Sequence, residues 1–339
     1  LRKRDRLSAS LIFGLLCTCI FSPPSLLRAD PPPDASATIQ TAQRQFNAGN
    51  YSAAITTLQS AVTQNSSNAE AYYWLGRSYY EVNDYDNAVA QAEKSVALDP
   101  KNSLYHQWLG RAYGGKADRD RSFSLAKKVK SEFKEAVGLD GSNIEARRDL
   151  EQYCLDAPWI AGGSKDEALE QVNAIAAVDP IAGHLARADY DRKGLKKTDE
   201  AESEVRAVLA ARPKSIEPYL EVADFFRMEN KPSDLTDAIQ AATQASPNDP
   251  RLAFYRGVAG VLSGTNLPGA EQDLKSYLAS TPDRSDWPAH AAAREWLGRL
   301  YEAEGKRTQA AEQYRESLQL EPKRKEARER LEKLEKSSQ

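Results

Sequence analysis

The tetrapeptide Trp-Leu-Gly-Arg occurs three times in this chain, at 74–77, 108–111 and 296–299, and the first two copies lie 34 residues apart. An aromatic stands three places after each glycine: Tyr79, Tyr113 and Tyr301. Ala88 and Ala310 follow Gly76 and Gly298 by twelve places, and the prolines of Asp99-Pro100 and Glu321-Pro322 follow them by twenty-four. A fixed period of this length restricts the fold to an array of like supersecondary units. Tyr73, Gly76 and Tyr80, and separately Tyr72, Leu75 and Tyr79, recur at steps of three and four, so each set shares one helical stripe. Ala88, Ala92, Ser95 and Val96 do the same in the helix that follows. Asn83-Asp84 supplies a turn between the two, and Pro100 ends the second helix because the residue before a proline disfavours helix. One such hairpin cannot bury its apolar face alone. Neighbours must stack, which leaves one concave and one convex surface.

Ala69–Asn102 and Ala291–Arg324 resemble the tetratricopeptide repeat (TPR), with Trp74, Gly76, Ala88 and Pro100 and then Trp296, Gly298, Ala310 and Pro322 at its marked positions. The resemblance implies an all-α, right-handed superhelix of stacked hairpins over residues 37–324, in about eight units. In 37–68 the residues Ala42, Gly49, Tyr51, Ala54, Leu58 and Ala61 keep the register; 69–102 is the clear unit. The next, 103–143, gains residues around Lys116–Ser122, and 144–180 has a lengthened connection at Ala157–Ser164. Weaker units follow at 181–213, 214–249 and 250–284, with Pro213, Pro247 and Pro282 near their ends, and 285–324 holds the last clear copy. Residues 325–339 keep only Ala327, Leu331 and Leu334 apolar at helical spacing, the pattern of a capping helix with a polar outer face.

The first 29 residues read differently. Arg2, Lys3, Arg4 and Arg6 precede an uncharged run from Leu11 to Phe21, and Leu27-Arg28-Ala29 closes the stretch. That order predicts a secretory signal peptide cut after Ala29, hence a periplasmic or secreted protein; the alternative is an uncleaved anchor, which alone would place the chain at a membrane. The apolar run falls short of the roughly 20 residues of a membrane span. Residues 30–36, with Pro31-Pro32-Pro33, read as a stiff tether. Cleavage would leave Cys154 as the lone cysteine, a small buried hydrophobe in a helical pattern.

No catalytic set emerges. His106, His184 and His290 are far apart, no HExxH or CxxC occurs, and no cofactor or metal is expected. Gly110 to Lys116 has the spacing of a phosphate-binding loop. It lacks a preceding strand and the hydroxyl residue after the lysine, where Ala117 stands. With 46 Lys+Arg against 49 Asp+Glu the chain carries no basic excess for nucleic acid. The expected role is a non-catalytic interaction scaffold of the cell envelope. The alternatives are an assembly or trafficking factor that holds a protein or polymer transiently and, least favoured, an enzyme.

The resemblance also implies where a protein or extended peptide would bind, on the inner face of the first helices. Carried onto this chain, the inner positions are Tyr73, Arg77 and Tyr80, then Gln107 and Arg111, Arg148 and Gln152, and Glu295 and Arg299, with Trp74, Trp108 and Trp296 beside them. Tyr, Trp and Arg dominate binding hot spots. Guanidinium groups beside aromatic rings suit acidic or C-terminal carboxylate groups, so a groove over Tyr73–Arg148 is the expected site.

Overall fold

A computed structural model describes residues 35–336, which hold seventeen α-helices and no strand. The predicted leader, the tether as far as residue 34 and residues 337–339 lie outside the described residues. Helices α1 (Ala35–Asn47) and α2 (Tyr51–Gln64) form the first hairpin, and α3 (Ala69–Glu81) and α4 (Tyr85–Leu98) the second. Next come α5 (Ser103–Asp120) with α6 (Phe123–Leu139), then α7 (Ile144–Asp156) with α8 (Lys165–Val178). The pairs α9 (Pro180–Asp189) and α10 (Thr198–Ala211), and α11 (Glu217–Met228) and α12 (Pro232–Ala245), continue the array. It closes with α13 (Arg251–Ser263) and α14 (Leu267–Ser280), α15 (His290–Ala303) and α16 (Arg307–Leu320), and the single helix α17 (Lys325–Lys336). Each helix packs on its neighbours in chain order, which makes the fold an all-α solenoid.

Local chemistry sets the joints. The turn within a hairpin turns on one left-handed residue, for instance Gly49 at φ 75°, Asn83 at 59°, Asn230 at 54° and Gly305 at 73°. Asn68, Asn102 and Asn143 end four-residue connections between hairpins, and each caps the next helix by accepting a backbone N–H with its side chain. The extra residues at Lys116–Ser122 lengthen α5, with Arg121 left-handed at φ 52° before Ser122 caps α6. The lengthened connection at Ala157–Ser164 holds a short 3₁₀ turn, Trp159–Ala161, and Trp159 stands 84% exposed.

The repeat glycine is where one helix of a hairpin meets the other. A Cβ on Gly110 would lie 2.5 Å from the Phe133 ring of α6, and one on Gly298 would lie 2.5 Å from the Tyr314 ring of α16. The core therefore runs as a seam with no single centre. Buried residues fall into three stretches, from Ile39 to Leu75, from Ala88 to Tyr190, and from Leu185 to Ala327.

The array also curls back on itself. The Tyr51 hydroxyl donates to the Asp283 carbonyl at 3.0 Å, and the Lys323 ammonium donates to the Asp118 carbonyl at 3.2 Å. Most connections between hairpins take four or five residues, but the one after α14 takes nine, Thr281 to Ala289, and it reaches the first hairpin.

Candidate partner-binding face

Because α3 and α5 are successive first helices of their hairpins, the 34-residue period sets Trp74 and Trp108 in equivalent places. Tyr73 fills the space between: its ring centroid lies 5.3 Å from Trp74, 5.2 Å from Tyr105 and 6.4 Å from Trp108. The Arg77 guanidinium stands among them, 4.2 Å from the Trp108 centroid, 4.6 Å from Trp74 and 4.8 Å from Phe46. One of its nitrogens donates to the Tyr73 hydroxyl at 3.1 Å, while its Nε is buried without an acceptor. Burial pushes the Tyr73 phenol up despite the Arg77 charge beside it.

Arg111, one period on, is engaged otherwise. Its Nε and Nη2 donate to the two Asp149 oxygens at 2.7 and 3.1 Å, and Glu145 lies 3.5 Å away. Gln107 donates to the same carboxylate at 2.7 Å. Burial works against the charge on Arg111, but Asp149 outweighs it and holds the pKa above its ordinary value. Arg148 continues the line, 3.1 Å from Asp189 of α9 and 3.0 Å from Glu221 of α11. Near the C-terminal end Arg324 takes Glu295 at 2.9 Å. Charges on successive first helices therefore zip to one another.

This corrects several expectations. Tyr73, Gln107 and Glu295 are 6%, 2% and 6% exposed: they support neighbouring side chains and offer almost no surface. Trp296 is likewise buried. Arg111 and Arg148 already hold carboxylates of this chain, because acids on the following helices reach them. Trp74 and Trp108 are half-buried beside Arg77, Tyr80 is half-buried with its ring 6.0 Å from Trp108, and Gln152 is exposed on α7. Arg299 lies 3.8 Å over the Trp296 ring, and burial lowers its pKa. Arg77 and Arg299 form no ion pair among the described residues. A cavity of about 490 Å³ lies between α11, α13, α15 and the Ser285–Ala289 segment, with Glu221, Arg251 and Trp287 in its walls.

Glu81 was missed. Its carboxylate accepts from the Ser285 backbone N–H at 2.9 Å and hydroxyl at 2.7 Å. It occupies the thirteenth place of its unit, an inner position of the repeat pattern, so the signal was present in the sequence.

Arg111→Met tests the charge zipper. It strands the Asp149 carboxylate with Gln107 as its remaining side-chain donor and should cost about 2 kcal/mol, less than a fully buried pair would. Arg111→Met combined with Asp149→Leu should recover most of that loss in urea unfolding.

Two of the histidines are paired with acids of the chain. His106 bonds Glu132 at 2.7 Å and His184 bonds Glu204 at 2.6 Å. Cys154 is buried and its thiol is pushed up to about 11 by desolvation. Gly110 to Lys116 is continuous α5 helix. Among the described residues no group of His, Cys, Asp and Glu could hold a metal, and no helix is long and apolar enough to cross a membrane.

Family models of the tetratricopeptide repeat match residues 39–113 and 291–324. No curated protein matches the sequence. Among solved structures, the chain is similar to yeast Tom70 at 15% identity and a TM-score of 0.62, over 94% of this chain and 68% of that one. A tetratricopeptide repeat protein from Parabacteroides merdae aligns at 16% identity and a TM-score of 0.48, over 78% of this chain and 98% of its own. A thermophilic TPR protein of Thermus thermophilus aligns at 19% and 0.47, over 57% and 99%. At these identities the likeness to Tom70 speaks for the fold alone.

Proposed function

We propose, from the premise that this chain is a tetratricopeptide-repeat protein, that it is a non-catalytic scaffold whose inner face holds a segment of another protein. The observation that carries the reading is Arg77. Its guanidinium pairs with no carboxylate among the described residues and keeps a buried Nε without an acceptor amid aromatic faces, whereas Arg111 and Arg148 on the same face pair with carboxylates of the chain, Arg148 keeping only its Nη1 unbonded. A partner carboxylate at Arg77 would gain a charge-assisted hydrogen bond in a wall of rings that excludes water. We place the protein in the periplasm or outside the cell, on the reading of residues 1–29 as a leader.

The test is Arg77→Glu, which sacrifices no ion pair of the fold. Capture of partners from the native envelope fraction should fall at least about tenfold, the effect of losing one hot-spot contact. If the folded variant, checked by circular dichroism, retains every partner, the inner face at Arg77 is not the binding surface.

A further inference from the structure

The segment Pro282–Asp286 lies against the first two hairpins, more than 200 residues away in sequence. Pro282 packs on Gly49, where a Cβ would come within 2.3 Å of the proline Cβ, so only glycine suits both the left-handed turn and this contact. Tyr51 bonds the Asp283 carbonyl, and Glu81 takes both the N–H and the hydroxyl of Ser285. The Arg284 guanidinium shares the Phe46 ring with Arg77, 5.9 Å from its centroid, and is clipped to Asp286 by two bonds of 2.8 and 2.7 Å.

These contacts resemble ligand recognition more than core packing. Asp283, Ser285 and Asp286 remain exposed, and apart from the Pro282–Gly49 contact the attachment consists of hydrogen bonds and one stacked cation, each of small net worth in water. The attachment is also incomplete. Asp286 is near enough for the Arg77 charge to help lower its pKa, yet no ion pair forms between them, and the Arg77 Nε stays without an acceptor. A segment that kept the bonds of Pro282–Asp286 and brought a carboxylate to Arg77 would bind better than the chain's own.

We infer that the first two hairpins carry a peptide-binding cradle, made by Phe46, Gly49, Tyr51, Arg77 and Glu81, which Pro282–Asp286 fills as an internal occupant. The partner is a protein segment of like chemistry, proline-led, with a hydroxyl residue for Glu81 and a carboxylate for Arg77, and it enters by displacing the strap. This deepens the reading of the inner face as a protein-binding surface and rests on it.

The probe is an end-blocked synthetic peptide with the sequence of residues 280–289, titrated into wild type, into Ser285→Ala and into Arg284→Ala with Ser285→Ala, each checked for fold by circular dichroism. Loosening the strap should tighten peptide binding at least about tenfold in the double variant and by less in the single one, with slowed hydrogen exchange at Phe46–Tyr51 and Tyr73–Glu81 on binding. Equal affinity for all three proteins, or no binding to any, overturns the strap. Partner capture by Arg77→Glu separates the two ideas. If Arg77→Glu abolishes capture while the peptide result is negative, the binding face stands and the internal occupant falls; if Arg77→Glu leaves capture intact, the binding face itself falls.

Discussion

Phe226→Ala will loosen the sixth hairpin and leave the second and third nearly untouched. Phe226 is fully buried in α11, edge-on to Phe225 at 5.5 Å, in the stretch of core that includes Leu235 and Ile239 of α12. Deleting a buried phenyl ring costs about 3–5 kcal/mol, through lost transfer energy and the cavity left behind. In a globule that loss is shared by the whole cooperative unit. In a solenoid each hairpin touches chiefly its neighbours, so the loss stays local and a single unfolding free energy no longer describes the chain. Hydrogen exchange measures it. Amides of 217–245 should exchange about a hundredfold faster or more, while those of 69–139 should barely change. Uniform acceleration from α1 to α17 would count against this. It would mean that the contacts of Tyr51 with Asp283 and Lys323 with Asp118 fasten the array into one cooperative body.

How far the sequence disclosed this molecule depends on the range over which each interaction repeats. The hairpins were legible because Gly110 faces Phe133 and Gly298 faces Tyr314, a contact within one unit that the repeat copies. The aromatic setting of Arg77 was legible for the same reason, since Trp74 and Trp108 are one period apart. The fate of Arg111 was not. Its partner Asp149 comes 38 residues later in a unit stretched by insertion, where the repeat pattern assigns no acid to pair with it. Arg148 reaches still further, to Glu221 at a separation of 73. The strap was beyond any local pattern, because curvature accumulated over six hairpins brings Ser285 to Glu81. Only Glu81 could have been read, from its inner register position.

Glu151→Gln should leave stability unchanged at pH 4 and raise it by on the order of 4 kcal/mol at pH 9. Glu151 is fully buried on α7, and neither carboxylate oxygen has a hydrogen-bond partner. Burial pushes its pKa up to about 8; Arg148 and Lys193 oppose the rise, and Asp189 and Asp156 reinforce it. The folded value therefore stands above the unfolded one. Between about pH 4.5 and 8 the folded chain holds a proton that the unfolded chain has released, so stability falls as pH rises through this window and levels off above it. Glutamine keeps the shape and removes the charge, so the variant should lose this part of the pH slope. Urea unfolding at pH 4, 7 and 9 reads it as the difference from wild type, which cancels the other buried acids, such as Glu221, whose pKa is also raised. A constant difference across that range would show that Glu151 is ionised throughout and has drawn in a cation. Arg148 is the candidate for that cation, since its Nη1 is itself buried without an acceptor; the swing would then have to loosen its hold on Asp189 and Glu221.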